Sequence, residues 1–268
     1  MAGRVYISAD IEGVTGVVHF DETERNKSDF GIYRKFMTEE VNAAIEGALE
    51  AGASDIVVRD AHGDARNILP KLLHENARLI RGWGDTPFCM MEGIGDCFDA
   101  VMFIGYHAAA DVPNATLKHT MTLRVAEIRV NGVLMAEAGL NALIAGYFGV
   151  PTVFIAGDRA VCEYARETFG DIETVSVKDG LGTAAVNIHP KLARKEIKAA
   201  AARAIESLPR YKSFTLEAPY TFQIRYRYEH SAFKASFYPG CERVDNVTVK
   251  FTSDDLKDCF TFFYFCQG

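Results

Sequence analysis

Short β-branched runs alternate with amphipathic helical stretches through about residue 180, and this alternation constrains the chain more than any other feature. Strands separated by helices pair in parallel, because each helix carries the chain back over the sheet before the next strand begins. Candidate strands are Val5–Asp10, Asp55–Asp60, Ala77–Arg81, Asp99–His107 and Pro151–Gly157, with Thr174–Lys178 a weaker sixth. Between the first two, Ile32, Phe36, Val41, Ala44, Ile45, Ala48 and Leu49 recur at helical spacing before Gly52, which predicts one crossover helix. The expected fold class is α/β, a mostly parallel central sheet with helices on both faces. At 268 residues there is room for one large domain, or one with a smaller appendage.

One interruption is expected in this repeat. Thr120–Val130 and Val133–Glu137 flank Asn131-Gly132, a dipeptide suited to a type I′ turn because both central residues take positive φ; an inserted β-hairpin follows. Gly139 to Gly149 reads as a short helix, and His189-Pro190 opens an Ala-rich helix that runs to Leu208 and closes at Pro209, with proline where its missing N–H costs nothing. Beyond Pro209 the texture changes: Phe222, Ile224, Tyr226 and Tyr228 alternate with polar residues, and a Val244–Phe251 strand and an Asp254–Phe265 helix follow. This divides the chain into a catalytic α/β domain, 1–209, and an aromatic-rich α+β subdomain, 210–268, whose Phe and Tyr serve either its core or subunit contacts.

Charge and composition exclude several classes. With 29 Lys+Arg against 36 Asp+Glu the net charge is −7, which repels polyanions and argues against a nucleic-acid partner. The N-terminus lacks the apolar core of a secretion signal, and the longest apolar-rich run, Cys259 to Cys266, is under half of the roughly 20 residues that cross a bilayer. No membrane association is expected. The six cysteines contain no CxxC pair and read as free or buried thiols of a cytoplasmic protein.

Parallel sheets bind ligands at the carboxyl ends of their strands, so polar residues there carry the functional signal. The first strand ends in Asp10 and Glu12, the second leads to His62, the fourth ends at His107, and the hairpin returns to Glu137. Singly, each has an ordinary explanation: a solvated loop carboxylate, a capped loop histidine, a satisfied core histidine, or a helix-start acid answering the dipole. Together they mix imidazole and carboxylate as borderline divalent ions prefer, zinc above all, with manganese or cobalt open. Five ligands exceed one open tetrahedral site and suit two ions bridged by Asp10, a site for hydrolysis. Asp60 is a candidate supporting carboxylate. His19, His74 in a polar helix, His189 as a helix cap, and His230 are expected to be structural.

Five short stretches, Ser8-Ala9-Asp10-Ile11-Glu12-Gly13, Asp60-Ala61-His62, Gly105-Tyr106-His107-Ala108, His119-Thr120-Met121 and Glu137-Ala138-Gly139-Leu140-Asn141-Ala142, together resemble the zinc D-aminopeptidases of bacterial dipeptide-transport operons, the DppA family, in order and approximate spacing. The resemblance implies two Zn2+ per subunit held by Asp10, Glu12, His62, His107 and Glu137, short peptides of the D-Ala type as substrates, and a self-compartmentalising homodecamer. It also implies that His119 is catalytic, as the nucleophile; imidazole chemistry, with an ordinary pKa near roughly 6.5, better suits a general base or transition-state stabiliser beside a metal site. Ala61 and Thr120 stand where relatives often carry Ser, which bears on substrate preference.

Two other functions fit a metal cluster. A binuclear phosphoesterase would need cations beside the ligands; Arg59 and Arg159 are candidates, although Gly13-Val14-Thr15-Gly16 matches a phosphate loop poorly. A non-catalytic peptide-binding scaffold would keep the fold without turnover; the presence of all five ligand types and His119 argues against it.

Overall fold

Val5 through Ala9 are all buried, a mostly apolar run broken only by Ser8, of the kind carried by a strand covered on both faces. This strand, β1 (Arg4–Ala9), lies within a seven-stranded sheet in a computed structural model that describes residues 3–268. In chain order there follow α1 (Phe30–Glu50), β2 (Asp55–Asp60), β3 (Ala77–Ile80), β4 (Ala100–Tyr106), β5 (Val125–Val130), β6 (Val133–Leu134), α2 (Glu137–Tyr147), β7 (Thr152–Asp158), α3 (Arg159–Phe169), β8 (Glu173–Leu181), β9 (Ala184–Asn187) and α4 (Pro190–Glu206). The chain ends with β10 (Tyr220–Tyr226), α5 (Glu229–Ala235), β11 (Glu242–Arg243), β12 (Thr248–Ser253) and α6 (Leu256–Cys266).

The large sheet has the order β3-β2-β1-β4-β7-β8-β9, with every pairing parallel except β8 with β9. The α/β expectation holds, and all six expected strands form. Strand order runs one way from β1 to β3 and the other way from β4 onward, so the β1/β4 seam is the topological switch point, where such sheets open a crevice at their carboxyl ends. Val5, Ile7 and Ala9 join the core beneath α1 and α4; Tyr6 joins the core shared with α2, α3 and the second sheet. The two cores are the two faces dictated by side-chain alternation.

The second sheet is antiparallel, in the order β11-β12-β10-β5-β6. Asn131 and Gly132 do turn the β5–β6 hairpin, at φ 50 and 81. Its partner is β10, which pairs Gln223 with Arg129, so this sheet draws strands from both sides of residue 209. Helix α6 covers it through Phe260, Phe262 and Phe263, all buried, with the Phe222 and Phe260 rings edge to face at 5.2 Å. Core packing claims these aromatics, whereas Phe233, Phe237 and Phe265 are exposed.

Several local expectations shift. β12 starts at Thr248 rather than Val244 because the Asp245 carboxylate accepts the Val247 amide at 2.8 Å and turns the chain there. His74 lies in a turn, not a helix. His189 caps α4 as expected, accepting from the Lys191 amide.

Candidate metal centre

The segment after β1 crosses directly over the end of β4. The Asp10 amide donates to Ile104 O at 2.8 Å and the Gly13 amide to Gly105 O at 2.7 Å. A Cβ on Gly13 would stand 1.8 Å from Tyr106 O, and one on Gly105 2.2 Å from Asp10 O; two glycines are therefore what allow this crossing. From beneath, the buried Lys178 ammonium on β8 donates to the Glu12 carbonyl and, at 2.6 Å, to Val17 O. The Asp10 and Glu12 carboxylates, each 2% exposed, are thereby fixed at the switch point.

His62 follows β2 in a loop organised by Asp60, whose carboxylate accepts the Asn67 and Ile68 amides at 2.6 and 2.7 Å and does not reach the imidazole cluster. The His62 Nδ1 stands 3.0 Å from Glu12 Oε2 and 3.2 Å from Asp10 Oδ1. His107 follows β4, steadied by the Ala108 amide, which donates to Asp158 at 2.9 Å; its Nε2 lies 3.4 Å from Glu137 Oε2 and 3.6 Å from Asp10 Oδ2. Glu137, the first residue of α2, accepts the Met121 amide at 2.6 Å. His119 reaches the same carboxylate, Nε2 to Oε1 at 3.6 Å, and its ring stacks on His107 at 4.4 Å. Leu117 and Met121 flank it at φ 57 and 64, a strained backbone of the kind that persists where surroundings impose it. All five expected ligands and His119 therefore converge.

Tautomers follow from backbone partners. Since a carbonyl can only accept, His62 Nε2 donates to Thr23 O at 3.1 Å, His107 Nδ1 to Ala108 O at 3.0 Å, and His119 Nδ1 to Leu117 O at 2.8 Å. Each neutral imidazole then turns a lone pair toward carboxylate oxygens. Lone pairs facing lone pairs repel unless a cation or proton lies between them. Glu12 Oε2 and His107 Nε2 are indeed buried without a hydrogen-bond partner.

The protonation preferences express the same conflict. Burial, reinforced by the Glu12 charge, pushes Asp10 up to about 8. Burial would lift Glu12 too, but His62 holds it well below the usual carboxylate range, and His107 likewise holds Glu137 at about 2 against its burial. Burial alone would depress the imidazoles, yet Glu137 raises His107 to about 10 and Glu12 raises His62 well above its usual value. The cluster is thus built to hold positive charge. Donor atoms fall into two triads, Asp10–Glu12–His62 and His107–His119–Glu137, each within 4.8 Å, and Asp10 faces both through its two oxygens.

Asp10, Glu12, His62, His119 and Glu137 line a cavity of 190 Å3 whose other walls include Ala61, Met90, Trp83 and Met121. Supporting residues escaped the sequence reading. Lys178 looks like any strand lysine, and the chain of hydroxyls from Asn141 Nδ2 to Tyr106 at 2.9 Å, Tyr106 to Ser8 at 2.7 Å, and Ser8 to Met90 O at 2.9 Å has no local signature beyond Ser8, Tyr106 and Asn141 lying in the recognised stretches. Arg59 forms a buried ion pair with Glu92 at 3.2 Å, and Arg159 pairs with Asp179 at 2.9 Å. Neither lines the cavity at the metal-ligating cluster.

A doubly wound sheet with buried carboxylates and imidazoles gathered at its switch point defines a hydrolase of the metal-ligating type. The chain belongs to the Peptidase_M55 D-aminopeptidase family, whose sequence pattern matches residues 3–265. It is 31% identical over 259 residues to the D-aminopeptidase of Bacillus subtilis (strain 168), covering 96% of this chain and 94% of that protein. Its fold matches the Zn-dependent D-aminopeptidase DppA from Bacillus subtilis, described as a self-compartmentalizing protease, with a TM-score of 0.95 and 29% identity over 98% of this chain and 96% of the other. The protein is a hydrolase of the aminopeptidase class.

Proposed function

We propose that this enzyme removes the N-terminal residue of short D-amino-acid peptides at a pair of zinc ions that Asp10, Glu12, His62, His107 and Glu137 would hold, Asp10 being the carboxylate whose two oxygens face both triads. The observation that carries this reading is the pair of buried, unpartnered atoms, Glu12 Oε2 and His107 Nε2, one in each triad, in a donor mixture suited to zinc. Bound there, zinc supplies Lewis acidity for amide hydrolysis. The protein's own part is to fix three tautomers through backbone carbonyls and to exclude bulk water from carboxylates that are almost fully buried.

His119 is the imidazole beyond the five-ligand count. With Nδ1 tied to Leu117 O, its Nε2 can take a proton from water and return it to the leaving nitrogen. Its distance to Glu137, close to that of His107, supports a second reading in which it ligates. A His119→Ala variant that still binds two metals but loses turnover favours proton transfer; loss of one metal favours ligation.

The main test combines metal analysis with assays on D-Ala-D-Ala, its L,L counterpart and p-nitrophenyl phosphate. Two zinc ions per subunit and release of D-alanine, abolished by chelator and by His107→Ala, are expected. Phosphate release alone would replace the reading with a phosphoesterase, and metal without turnover with a scaffold. Exposed Phe233, Phe237 and Phe265 support subunit contacts of the 210–268 segment in a homodecamer, and six unpaired thiols fit a cytoplasmic setting. Among the described residues no helix is long and apolar enough to cross a membrane.

A further inference from the structure

A second cavity, of 260 Å3, adjoins the first and shares the side chains of Trp83 and Met121 with it. Its remaining walls come from the loop between β3 and β4, from Thr122 and from the C-terminal segment, notably Cys89 and Tyr264. We propose that this cavity receives the side chain of the residue on the leaving side of the scissile bond, and that it selects an apolar one. The proposal rests on the aminopeptidase reading and adds a specificity that the reading lacks.

Its chemistry follows from which polar groups are already engaged. The Glu92 carboxylate accepts the Gly84 and Thr86 amides at 2.8 and 3.0 Å and pairs with Arg59. The Thr122 hydroxyl donates to Gln267 O at 3.0 Å, and the Tyr264 hydroxyl to Asp85 at 3.2 Å. Burial pushes the Cys89 thiol up to about 12, so it meets an occupant as a neutral group. The Gln267 carboxamide, the other polar group of the lining, turns its Nε2 to Tyr264 O at 3.5 Å. Most of what remains to contact a ligand is the indole of Trp83, the thioether of Met121 and the ring of Tyr264, while the exposed Asp85 repels a nearby carboxylate. Trp83 is held rigidly for this purpose: its Nε1 donates to Gly63 O at 2.8 Å, and the Arg59 guanidinium lies 4.3 Å from its ring centroid.

Direction follows from His119. The leaving nitrogen is the atom its Nε2 would protonate, and two residues along the chain Met121 forms the shared wall. A peptide with that nitrogen at His119 therefore carries its leaving residue past Met121 into the second cavity. The first cavity, about six water volumes, keeps a small N-terminal residue.

The test uses amides, which keep a terminal carboxylate away from Asp85. For the zinc-loaded enzyme, kcat/KM is measured on D-alanyl-glycinamide, D-alanyl-D-leucinamide and D-leucyl-glycinamide. Wild type is expected to prefer the D-leucinamide leaving group over glycinamide by roughly tenfold or more, the range that one aliphatic side chain in a pocket commands. Thr86→Trp, at an exposed position whose hold on the loop is through its backbone amide and carbonyl, fills the cavity, and Tyr264→Ala opens it; both should shrink that ratio. A preference that survives both substitutions overturns the proposal, as does a change confined to the first residue, which would make the cavity the site of the N-terminal side chain. Absence of turnover on all three peptides overturns the aminopeptidase reading and this proposal with it.

Discussion

Glu40 offers a measurement of how the loop that carries Glu12 is held. It lies on α1, 1% exposed, with one oxygen accepting the Thr15 amide at 3.0 Å and the other buried without a partner. Burial lifts its pKa from 4.5 to about 7, against the Thr15 amide and the Lys178 charge, which both pull it down. At 1.36 kcal/mol per unit, this shift corresponds to about 3 kcal/mol. The sign is opposite to that of an ion-paired acid. Below the unfolded pKa the carboxyl is neutral in both states and burial of charge costs nothing; between 4.5 and about 7 the folded state retains a proton that the unfolded state has lost, so stability falls as pH rises, and above about 7 the full cost is present. Glu40→Gln keeps an acceptor for Thr15 and removes the charge. Urea unfolding of wild type and variant, both stripped of metal by chelator, should therefore show the variant gaining on wild type by up to about 3 kcal/mol between pH about 4.5 and about 8. A stability difference that does not change with pH would refute the argument, since it would mean that Glu40 ionises as freely in the folded protein as in the unfolded chain.

Three further outcomes are expected. Gly13→Ala puts a Cβ 1.8 Å from Tyr106 O, so the loop must move; it should cost about 1–3 kcal/mol by denaturation and weaken zinc binding measured by competition with a chromogenic chelator. Glu92→Ala leaves the Arg59 charge buried and should destabilise by about 3–5 kcal/mol, read as a fall in urea midpoint. Asp158→Ala removes the acceptor for the Ala108 and Val161 amides, costing about 1–2 kcal/mol for the α3 cap and lowering zinc affinity through His107, whereas Asp171→Ala, on the surface, should change neither.

The parts of the site visible in sequence were those placed by strand ends. Asp10, Glu12 and His107 lie just past β1 and β4, whose apolar runs are unambiguous, and neighbouring parallel strands must bring their ends to one edge. His62 and Glu137 follow the same logic through β2 and the Asn131-Gly132 turn. What strand ends do not encode is pairing at long range: nothing local in Gln223 announces Arg129 as its neighbour across the second sheet. The grouping of His119 with Glu137 depends on left-handed backbone at Leu117 and Met121, residue types that give no warning of it. Lys178 was invisible for a different reason, because a buried lysine is identified by its two carbonyl partners on the loop after β1, far away in sequence.

The three cluster imidazoles are oriented by the carbonyls of Thr23, Ala108 and Leu117. Every amino acid supplies a carbonyl, so side-chain replacement at those three positions leaves the anchor in place, and only a rerouted main chain would release it. Evolutionary drift can thus run through much of the scaffold around the reacting groups without altering their chemistry, while Asp158 and Lys178, which anchor through their side chains, have no such freedom.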